Sequence, residues 1–312
     1  MKKIAVLFPG QGAQFPGMGK DFYEAFSASR ETFEEAEDIL QRDIHRTLFS
    51  ASSDELNDTV VSQIGIFVMS VALDRVLQTV YSEYQPKFFA GFSLGEYVAL
   101  VRSGMLEFSQ GLTLLDARAH LMQKACLEHL GGMVAILGLN YDEVSHLISS
   151  LPKEAKLWVA NDNCPGQVVV SGSLKGLDLA KEEALKAGAH KVLRLQVQGA
   201  FHSGLMQSAK DHLDVLIDKA PFKKGQGLVM NASGTFQLEI EAVKRELKKQ
   251  IVSPVLWRSS ILTIEKEGVE GYLEVGPGHI LRGFNRRIGC QASTFCVGQV
   301  SDIQKLESFF LT

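Results

Sequence analysis

The chain has 312 residues, of which 46% are hydrophobic and 22% are charged, and this balance excludes an intrinsically disordered protein. With 32 basic and 36 acidic residues the formal net charge is −4, which argues against nucleic-acid binding over the whole surface and against a polybasic membrane anchor. The length suggests about two domains.

The first part of the chain alternates strands with helices. An uninterrupted apolar run over 3–8 predicts a buried strand, and a glycine-rich turn follows it. Apolar residues at three- and four-residue spacing predict helices over 21–49 and 54–82. Two further helices and a strand are predicted before residue 130: a strand over 87–90, a helix from Leu94 and a helix over 106–126.

A change of pattern at residue 131 indicates a separate small domain. Strands are predicted over 133–139, 156–161, 167–172 and 191–197, with helices over 141–151 and 174–188. This order, βαββαβ, is typical of a ferredoxin-like unit. We therefore predict a small ferredoxin-like domain, 131–197, inserted into a large discontinuous domain formed by 1–130 and 198–312.

Strands and helices alternate again after the insertion. The predicted elements are a helix from Ser203, a strand near 227–231, a helix over 239–250, a strand over 271–275 and a helix from Gly278. Such alternation predicts an α/β fold with a largely parallel sheet that is covered on both faces.

Cysteine content and hydropathy favour a cytoplasmic protein. The four cysteines form no C-x-x-C pair, so we expect reduced thiols and no metal site. The first apolar run ends at Pro9-Gly10, which makes it too short for a signal peptide. The most apolar later stretch, 60–73, is interrupted by polar residues, and we expect no membrane-spanning segment.

The segment Gly91-Phe92-Ser93-Leu94-Gly95 matches the nucleophile-elbow pattern G-x-S-x-G. It follows a predicted strand and opens a predicted helix, which is the context that the elbow requires. Glycines flank the serine because the turn is too tight for side chains, and the backbone N–H of Leu94 becomes an oxyanion donor. The pattern predicts an α/β-hydrolase-like large domain with Ser93 as its nucleophile.

A second oxyanion donor is expected from the turn Gly10-Gln11-Gly12, which follows the first strand. The ends of neighbouring parallel strands meet at one crevice, so the backbone N–H of Gln11 is the candidate. A phosphate-binding turn is the alternative, although the last glycine of G-x-G-x-x-G is missing.

A serine nucleophile needs an adjacent base, and two of the eight histidines are placed to supply it. His202 and His279 both follow predicted strands at the carboxyl end. Position favours His202 but leaves His279 open, and either histidine could instead cap a helix.

Arg118 is predicted on the apolar face of the helix over 106–126, among leucines and Met122. A guanidinium cannot lose its charge, so its burial requires an anionic partner. That partner is either an internal carboxylate or the carboxylate of a substrate.

Taken together, these motifs resemble the malonyl-CoA:acyl-carrier-protein transacylases of fatty-acid synthesis and the acyltransferase domains of polyketide synthases. The matching segments span nearly the whole chain in order: Phe8-Pro9-Gly10-Gln11-Gly12-Ala13-Gln14, Gly91-Phe92-Ser93-Leu94-Gly95-Glu96, Arg118 with Met122-Gln123, Asn163-Cys164-Pro165-Gly166-Gln167-Val168-Val169-Val170-Ser171-Gly172, Phe201-His202-Ser203 with Leu205-Met206, Gln250-Ile251 with Pro254-Val255 and Trp257, and Glu274-Val275-Gly276-Pro277-Gly278.

The resemblance implies a role for each matching residue. These roles are nucleophile for Ser93, base for His202, oxyanion hole for Gln11 and Leu94, malonyl-carboxylate binding for Arg118, pocket lining for Gln63, and orientation of the histidine by the backbone carbonyl at Gln250. The implied reaction is ping-pong transfer of malonyl from malonyl-CoA to acyl carrier protein, without a cofactor. One departure stands beside the nucleophile, where Phe92 replaces the usual histidine of the family.

The implied partner is an acidic acyl carrier protein, so we expect a local basic patch despite the negative total charge. The candidate residues fall into two clusters: Lys244, Arg245, Lys248 and Lys249, and Arg282, Arg286 and Arg287. We expect a monomer that binds neither nucleic acid nor membrane. The rival functions are a serine esterase or thioesterase, which has no use for a buried arginine, and a catalytically inactive carrier-binding module.

Overall fold

The computed structural model describes residues 2–311, which form two sheets surrounded by helices. The strands are β1 (Ile4–Phe8), β2 (Phe88–Gly91), β3 (Gly131–Leu137), β4 (Leu157–Cys164), β5 (Gln167–Ser173), β6 (Lys191–Arg194), β7 (Leu228–Met230), β8 (Thr235–Gln237), β9 (Gly271–Val275) and β10 (Thr294–Val297). The α-helices are α1 (Lys20–Ala25), α2 (Ser27–Leu40), α3 (Ile44–Ser50), α4 (Thr59–Val80), α5 (Gly95–Arg102), α6 (Phe108–Glu128), α7 (Tyr141–Ser150), α8 (Leu174–Lys186), α9 (Gln207–Lys219), α10 (Ile240–Gln250), α11 (Trp257–Lys266), α12 (Ile280–Ile288) and α13 (Val300–Leu311).

The larger sheet has the strand order β10-β9-β1-β2-β7-β8. Its neighbours are parallel except for β8, which pairs with β7 in antiparallel fashion. Along β1, Val6 belongs to the apolar cluster that includes α4, α5 and α6, whereas Leu7 belongs to the cluster that includes α11 and α12. Alternate side chains of a strand point to opposite faces, so helices cover both faces of this sheet, as the sequence predicted.

The smaller sheet has the order β4-β5-β3-β6, and all of its neighbours are antiparallel. Its strands and the helices α7 and α8 follow one another in the predicted order, strand–helix–strand–strand–helix–strand. Val134, Ile136, Val168 and Val170 from this sheet pack with Leu177 of α8 in an apolar cluster of their own. In the sequence, the antiparallel sheet therefore lies between the two segments that build the parallel sheet.

The helix predicted over 21–49 is divided into α1, α2 and α3. Phe26 is extended between the first two, and Gln41 adopts a left-handed conformation with φ 53° after the second. Asp43 then caps α3 by accepting a hydrogen bond from the backbone N–H of Arg46. In the segment 54–82, a 3₁₀ turn precedes α4, whose N-terminus is capped by Asp58.

Helix α4 includes the apolar stretch 60–73, in which no membrane-spanning segment was expected. It has 22 residues and a mean hydropathy of 1.7 over its most apolar window, so it is long and apolar enough to cross a membrane. Within the fold, however, 83% of that window is buried by the rest of the chain. A largely apolar helix that is surrounded by protein in this way is a core helix.

Candidate active site

The carboxyl ends of β1, β2 and β7 meet at one edge of the parallel sheet, and the candidate site lies there. A cavity of about 520 Å³ opens between this edge and the antiparallel sheet. Ser93, His202, Arg118, Gln63 and the backbone of Gln11 all line it. The fold therefore brings the residues singled out from the sequence to one place.

Ser93 stands in the turn between β2 and α5, in the left-handed conformation with φ 53°. A Cβ atom on Gly91 would lie 1.9 Å from the carbonyl carbon of Gly95. A Cβ atom on Gly95 would lie 2.3 Å from the carbonyl oxygen of Phe8, at the end of β1. Both glycines are therefore required by close backbone approach, which is the geometry that the elbow pattern predicted.

His202 is buried, and its Nε2 atom lies 2.8 Å from Ser93 Oγ. Its Nδ1 atom lies 2.8 Å from the backbone carbonyl oxygen of Gln250. A carbonyl can only accept, so Nδ1 carries the hydrogen and Nε2 is free to accept the serine proton. Burial and the nearby charge of Arg118 lower the pKa of His202 to about 4, which keeps the imidazole neutral at physiological pH.

His279, the other candidate base, is exposed at the start of α12. Its side chain takes no part in the hydrogen bonds of Ser93, which involve His202 and Arg118 instead. Of the two histidines, His202 is therefore the one in contact with Ser93.

Arg118 is 1% exposed on α6, as its position on the apolar face predicted. Its Nη1 atom donates to Gln63 Oε1 at 2.5 Å, and Nη2 donates to Ser93 Oγ at 2.9 Å and to Gln250 Oε1 at 3.1 Å. The buried Nε has no partner, and no carboxylate among residues 2–311 forms an ion pair with the guanidinium. Burial lowers the pKa of Arg118, although the nearby Tyr97 and Glu96 raise it.

Gln250, the last residue of α10, connects these groups. Its backbone carbonyl accepts from His202, and its side-chain oxygen accepts from Arg118. Its side-chain nitrogen donates to the carbonyl oxygen of Ser93 at 2.8 Å and to Glu96 Oε2 at 2.7 Å. One residue thus holds the base, the guanidinium and the elbow in fixed relation.

Two backbone N–H groups remain free to stabilise an oxyanion. Within the described chain, neither the N–H of Leu94 nor that of Gln11 donates to a protein acceptor, and both residues line the cavity. The N–H of Ser93 itself is taken by Asn231 Oδ1 at 2.7 Å. The two amides that the sequence singled out are therefore unoccupied within the described chain.

Sequence reasoning missed two buried residues behind the serine, Asn231 and Glu96. Asn231 directly follows β7, and Glu96 lies in the first turn of α5. Glu96 is fully buried, and burial raises its pKa to about 8, although the hydrogen bonds from Asn231 and Gln250 lower it. A charged residue among apolar neighbours is the signal that identified Arg118, and it would have identified Glu96 as well.

Phe92 forms part of an apolar wall of the cavity, together with Ile280, Leu281 and Phe284 of α12. Its ring centroid lies 5.6 Å from that of Trp257 and 6.0 Å from that of Phe284. Phe92, which stands where the resembled family usually has histidine, thus packs against aromatic rings next to the nucleophile.

The predicted basic clusters differ in their surroundings. On α10, Lys248 pairs with Asp218, and Lys249 pairs with Glu246. The arginines of α12 are exposed, and none of them forms an ion pair with a described carboxylate; they are Arg282, Arg286 and Arg287. Other residues of α12 line the cavity, and Arg287 Nη1 donates to the side chain of Gln167, a lining residue, at 2.7 Å.

One group of side chains away from the cavity has the composition of a metal site. Single ligand atoms of Glu37, Asp43 and His45 lie within 4.8 Å of one another. His45 Nδ1 is bonded to Glu37 Oε1 at 2.7 Å, and Asp43 caps α3. These side chains are therefore already bonded to one another and to the backbone at the N-terminus of α3.

Comparison with known proteins identifies the family to which this chain is similar. The acyl transferase domain model matches residues 6–282. The malonyl CoA-acyl carrier protein transacylase of Bacillus subtilis is 36% identical over 306 residues, covering 97% of this chain and 96% of the relative. That of Haemophilus influenzae is 33% identical over 312 residues and covers all of both chains.

Solved structures give the same result. A malonyl-transacylase in complex with its type II PKS acyl-carrier protein superposes with a TM-score of 0.94 at 34% identity, covering 98% of this chain and 99% of that chain. The malonyl CoA-acyl carrier protein transacylase of Clostridium perfringens superposes with a TM-score of 0.93 at 32% identity, covering 99% and 97%.

Proposed function

This chain belongs to the acyl transferase family, and we propose that it moves a malonyl group from malonyl-CoA to the phosphopantetheine thiol of an acyl carrier protein through an ester on Ser93. Its full-length similarity to malonyl CoA-acyl carrier protein transacylases supports both substrates. Its likeness to a transacylase bound to an acyl-carrier protein supports the protein partner.

The observation that carries this proposal is the unpaired guanidinium of Arg118. It is buried, it contacts the nucleophile Ser93, and it lacks a carboxylate partner within residues 2–311. A buried cation is stabilised by an anion, and the free carboxylate of a malonyl thioester would supply one. Gln63, which already accepts from Nη1, lies beside the same group.

In the loading step, Ser93 Oγ attacks the thioester carbonyl while His202 Nε2 takes the hydroxyl proton. The carbonyl oxygen becomes an oxyanion held by the N–H groups of Leu94 and Gln11, each contributing about 3 kcal/mol to the lowering of the barrier. The carbon–sulfur bond then breaks, and the CoA thiolate takes the proton from His202. A malonyl ester remains on Ser93, with its carboxylate held by Arg118.

In the transfer step, the carrier thiol gives its proton to His202 and attacks the ester carbonyl. The carbon–oxygen bond to Ser93 breaks, and the serine recovers its proton from His202. Every group in both steps belongs to the chain or to its substrates, so we propose that the reaction needs no metal or organic cofactor.

We also propose the type and the boundaries of the two domains. We assign the parallel sheet to a large α/β-hydrolase-like domain, 1–130 and 198–312, and the antiparallel sheet to a ferredoxin-like domain, 131–197. The pantetheine arm would then lie in the cavity between the two sheets. We also propose a cytoplasmic monomer.

The carrier protein, being acidic, would dock on the basic surface beside the cavity mouth. Lys248 and Lys249 are engaged by carboxylates of this chain. The arginines of α12 have no carboxylate partner among the described residues, although Arg287 donates to Gln167, so we propose that Arg282, Arg286 and Arg287 form the docking surface.

The substrate assignment is tested by Arg118→Ala. Loss of a charge-assisted contact to the carboxylate should slow malonyl loading roughly 10- to 100-fold. Acetyl-CoA has no such carboxylate and serves as the internal control, so its loading should fall by much less. Rapid-mixing measurement of CoA release gives both rates. Equal losses for malonyl and acetyl would contradict the role of Arg118 in carboxylate binding.

A further inference from the structure

Asn231 lies immediately behind the nucleophile and is 1% exposed. It is the first residue after β7, the strand that neighbours β2 in the parallel sheet. Its side-chain Oδ1 accepts a hydrogen bond from the N–H of Ser93 at 2.7 Å, and its Nδ2 donates to the carbonyl oxygen of Gly91 at 2.7 Å. A single rigid carboxamide thus spans the turn that carries the serine.

The backbone of Asn231 is fixed as well. Its N–H donates to Glu96 Oε1 at 2.6 Å, and its carbonyl accepts from the N–H of Leu256 at 2.9 Å. The other carboxylate oxygen of Glu96 accepts from Gln250, the residue whose carbonyl holds His202. Because every polar group of Asn231 has a partner, its side chain cannot rotate without losing hydrogen bonds.

The conformation of Ser93 requires such support. A non-glycine residue in the left-handed region is strained, and it persists only when its surroundings hold it there. Ser93 Oγ must also reach His202 at 2.8 Å and Arg118 at 2.9 Å at the same time. A small displacement of the turn would therefore break the contact on which proton transfer depends.

The hydrogen bond to the N–H of Ser93 has a second consequence. It occupies the N–H of Ser93, while the N–H of Leu94 stays free. The carboxamide thereby limits which N–H groups of the elbow can donate to a substrate oxygen.

We propose that Asn231 is a positioning residue for the acyl transfer, and that it acts by holding the N–H of Ser93 and the carbonyl of Gly91 through its carboxamide. The proposal rests on the proposed function of Ser93. Asn231 contacts neither the substrate nor the reacting atoms, so its effect should appear in the rate of acylation rather than in substrate affinity.

The decisive variant is Asn231→Asp. An ionised aspartate can still accept from the N–H of Ser93, but its second oxygen would face the carbonyl oxygen of Gly91 and repel it. Only the protonated acid can donate to that carbonyl, and burial raises the pKa of a carboxyl group. We expect the rate constant for the malonyl-CoA burst of CoA release to fall at least about fivefold from pH 6 to pH 8.5, beyond any change in the wild type.

Asn231→Ala complements this test by removing both hydrogen bonds. We expect its burst rate constant to fall at least about 30-fold at every pH, with the Kd for malonyl-CoA within about threefold of the wild type. Asn285→Asp is the matched control, because Asn285 is also 1% exposed but is bonded to Thr294 away from the serine. Circular dichroism at both pH values establishes that each variant is folded.

Three results would overturn the proposal. An Asn231→Asp profile that parallels the wild type would do so, as would an equal pH-dependent loss in Asn285→Asp. So would an Asn231→Ala variant that binds malonyl-CoA weakly but acylates at the normal rate. Each of these results would leave the proposed function intact, because the wild-type burst would still depend on Ser93. A burst that persists in Ser93→Ala would instead overturn the proposed function, and this proposal with it.

Discussion

Ser93 Oγ is contacted from two sides, by His202 Nε2 and by Arg118 Nη2. The charge of Arg118 is one reason that the pKa of His202 is low in the free protein. A malonyl carboxylate on Arg118 would compensate that charge, so His202 should become a stronger base when the proper substrate is bound. Recognition of the acyl group and activation of the base are therefore linked through one guanidinium.

This link gives a pH prediction for kcat/KM of malonyl loading. His202 acts as a base only when neutral, so activity should be constant from about pH 5.5 to 8 and lost as the pH falls through about 4. In Arg118→Met the cation is absent, and the midpoint measured with acetyl-CoA should move to higher pH than in the wild type. A wild-type midpoint near the ordinary histidine value of 6.5, or no shift in the variant, would refute the coupling.

Single residues differed in how far the sequence alone could identify them. Ser93 and Arg118 were predictable because their signals are local: an elbow motif, and a charge on an apolar helix face. His202 could not be separated from His279 by position, since both follow strands and only the fold shows which imidazole reaches the serine. Asn231 gave no local signal, because its importance depends on β7 lying beside β2.

At the scale of elements, the elbow depends on backbone contact between α5 and β1. Gly95→Ala places a Cβ atom 2.3 Å from the carbonyl oxygen of Phe8 and 2.7 Å from that of Pro9. Backbone atoms would have to move, so we expect a loss of at least about 4 kcal/mol in the free energy of unfolding. Urea denaturation measures this change.

Gly283→Ala is the matched control for that experiment. Gly283 lies within α12, and a Cβ atom there would have no neighbour within 4 Å. Alanine should stabilise the helix by about 0.5–1 kcal/mol. If both variants lost stability equally, the close approach at Gly95 would not be the cause.

Elements were predictable where their boundaries carry chemical signals. The small antiparallel layer is bounded by glycines and turn residues, and its order of strands and helices was predicted in full. The break between α1 and α2 at Phe26 has neither glycine nor proline, so periodicity alone merged the two helices. The short edge strands β8 and β10 were not predicted, since three or four residues give little periodicity. Helices α11 and α13 were also not predicted, and α11 begins without a side-chain cap that would mark its start.

At the scale of the whole molecule, the net charge of −4 does not reveal the three exposed arginines of α12, which we propose as the docking surface. Charge reversal by Arg282→Glu with Arg286→Glu should lower kcat/KM for the carrier protein at least about tenfold, and the loss should shrink with added salt. Loading from malonyl-pantetheine, which lacks the phosphates of CoA, should remain unchanged.

The α10 cluster supplies the comparison for this experiment. Lys248→Glu with Lys249→Glu makes the same change in total charge at two lysines that already have acidic partners. We expect less than about a threefold effect on carrier kinetics. A larger loss there than on α12 would move the docking surface to α10.

A malonyl ester at Ser93 is the central feature of the proposed reaction, and intact-mass spectrometry with peptide mapping tests for it directly. After brief exposure to malonyl-CoA, we expect the mass of one malonyl group on the peptide containing Ser93, and none in Ser93→Ala. Addition of holo acyl carrier protein should remove the adduct and place malonyl on the carrier. An adduct on another residue, or an ester that water discharges as fast as the carrier does, would contradict the account.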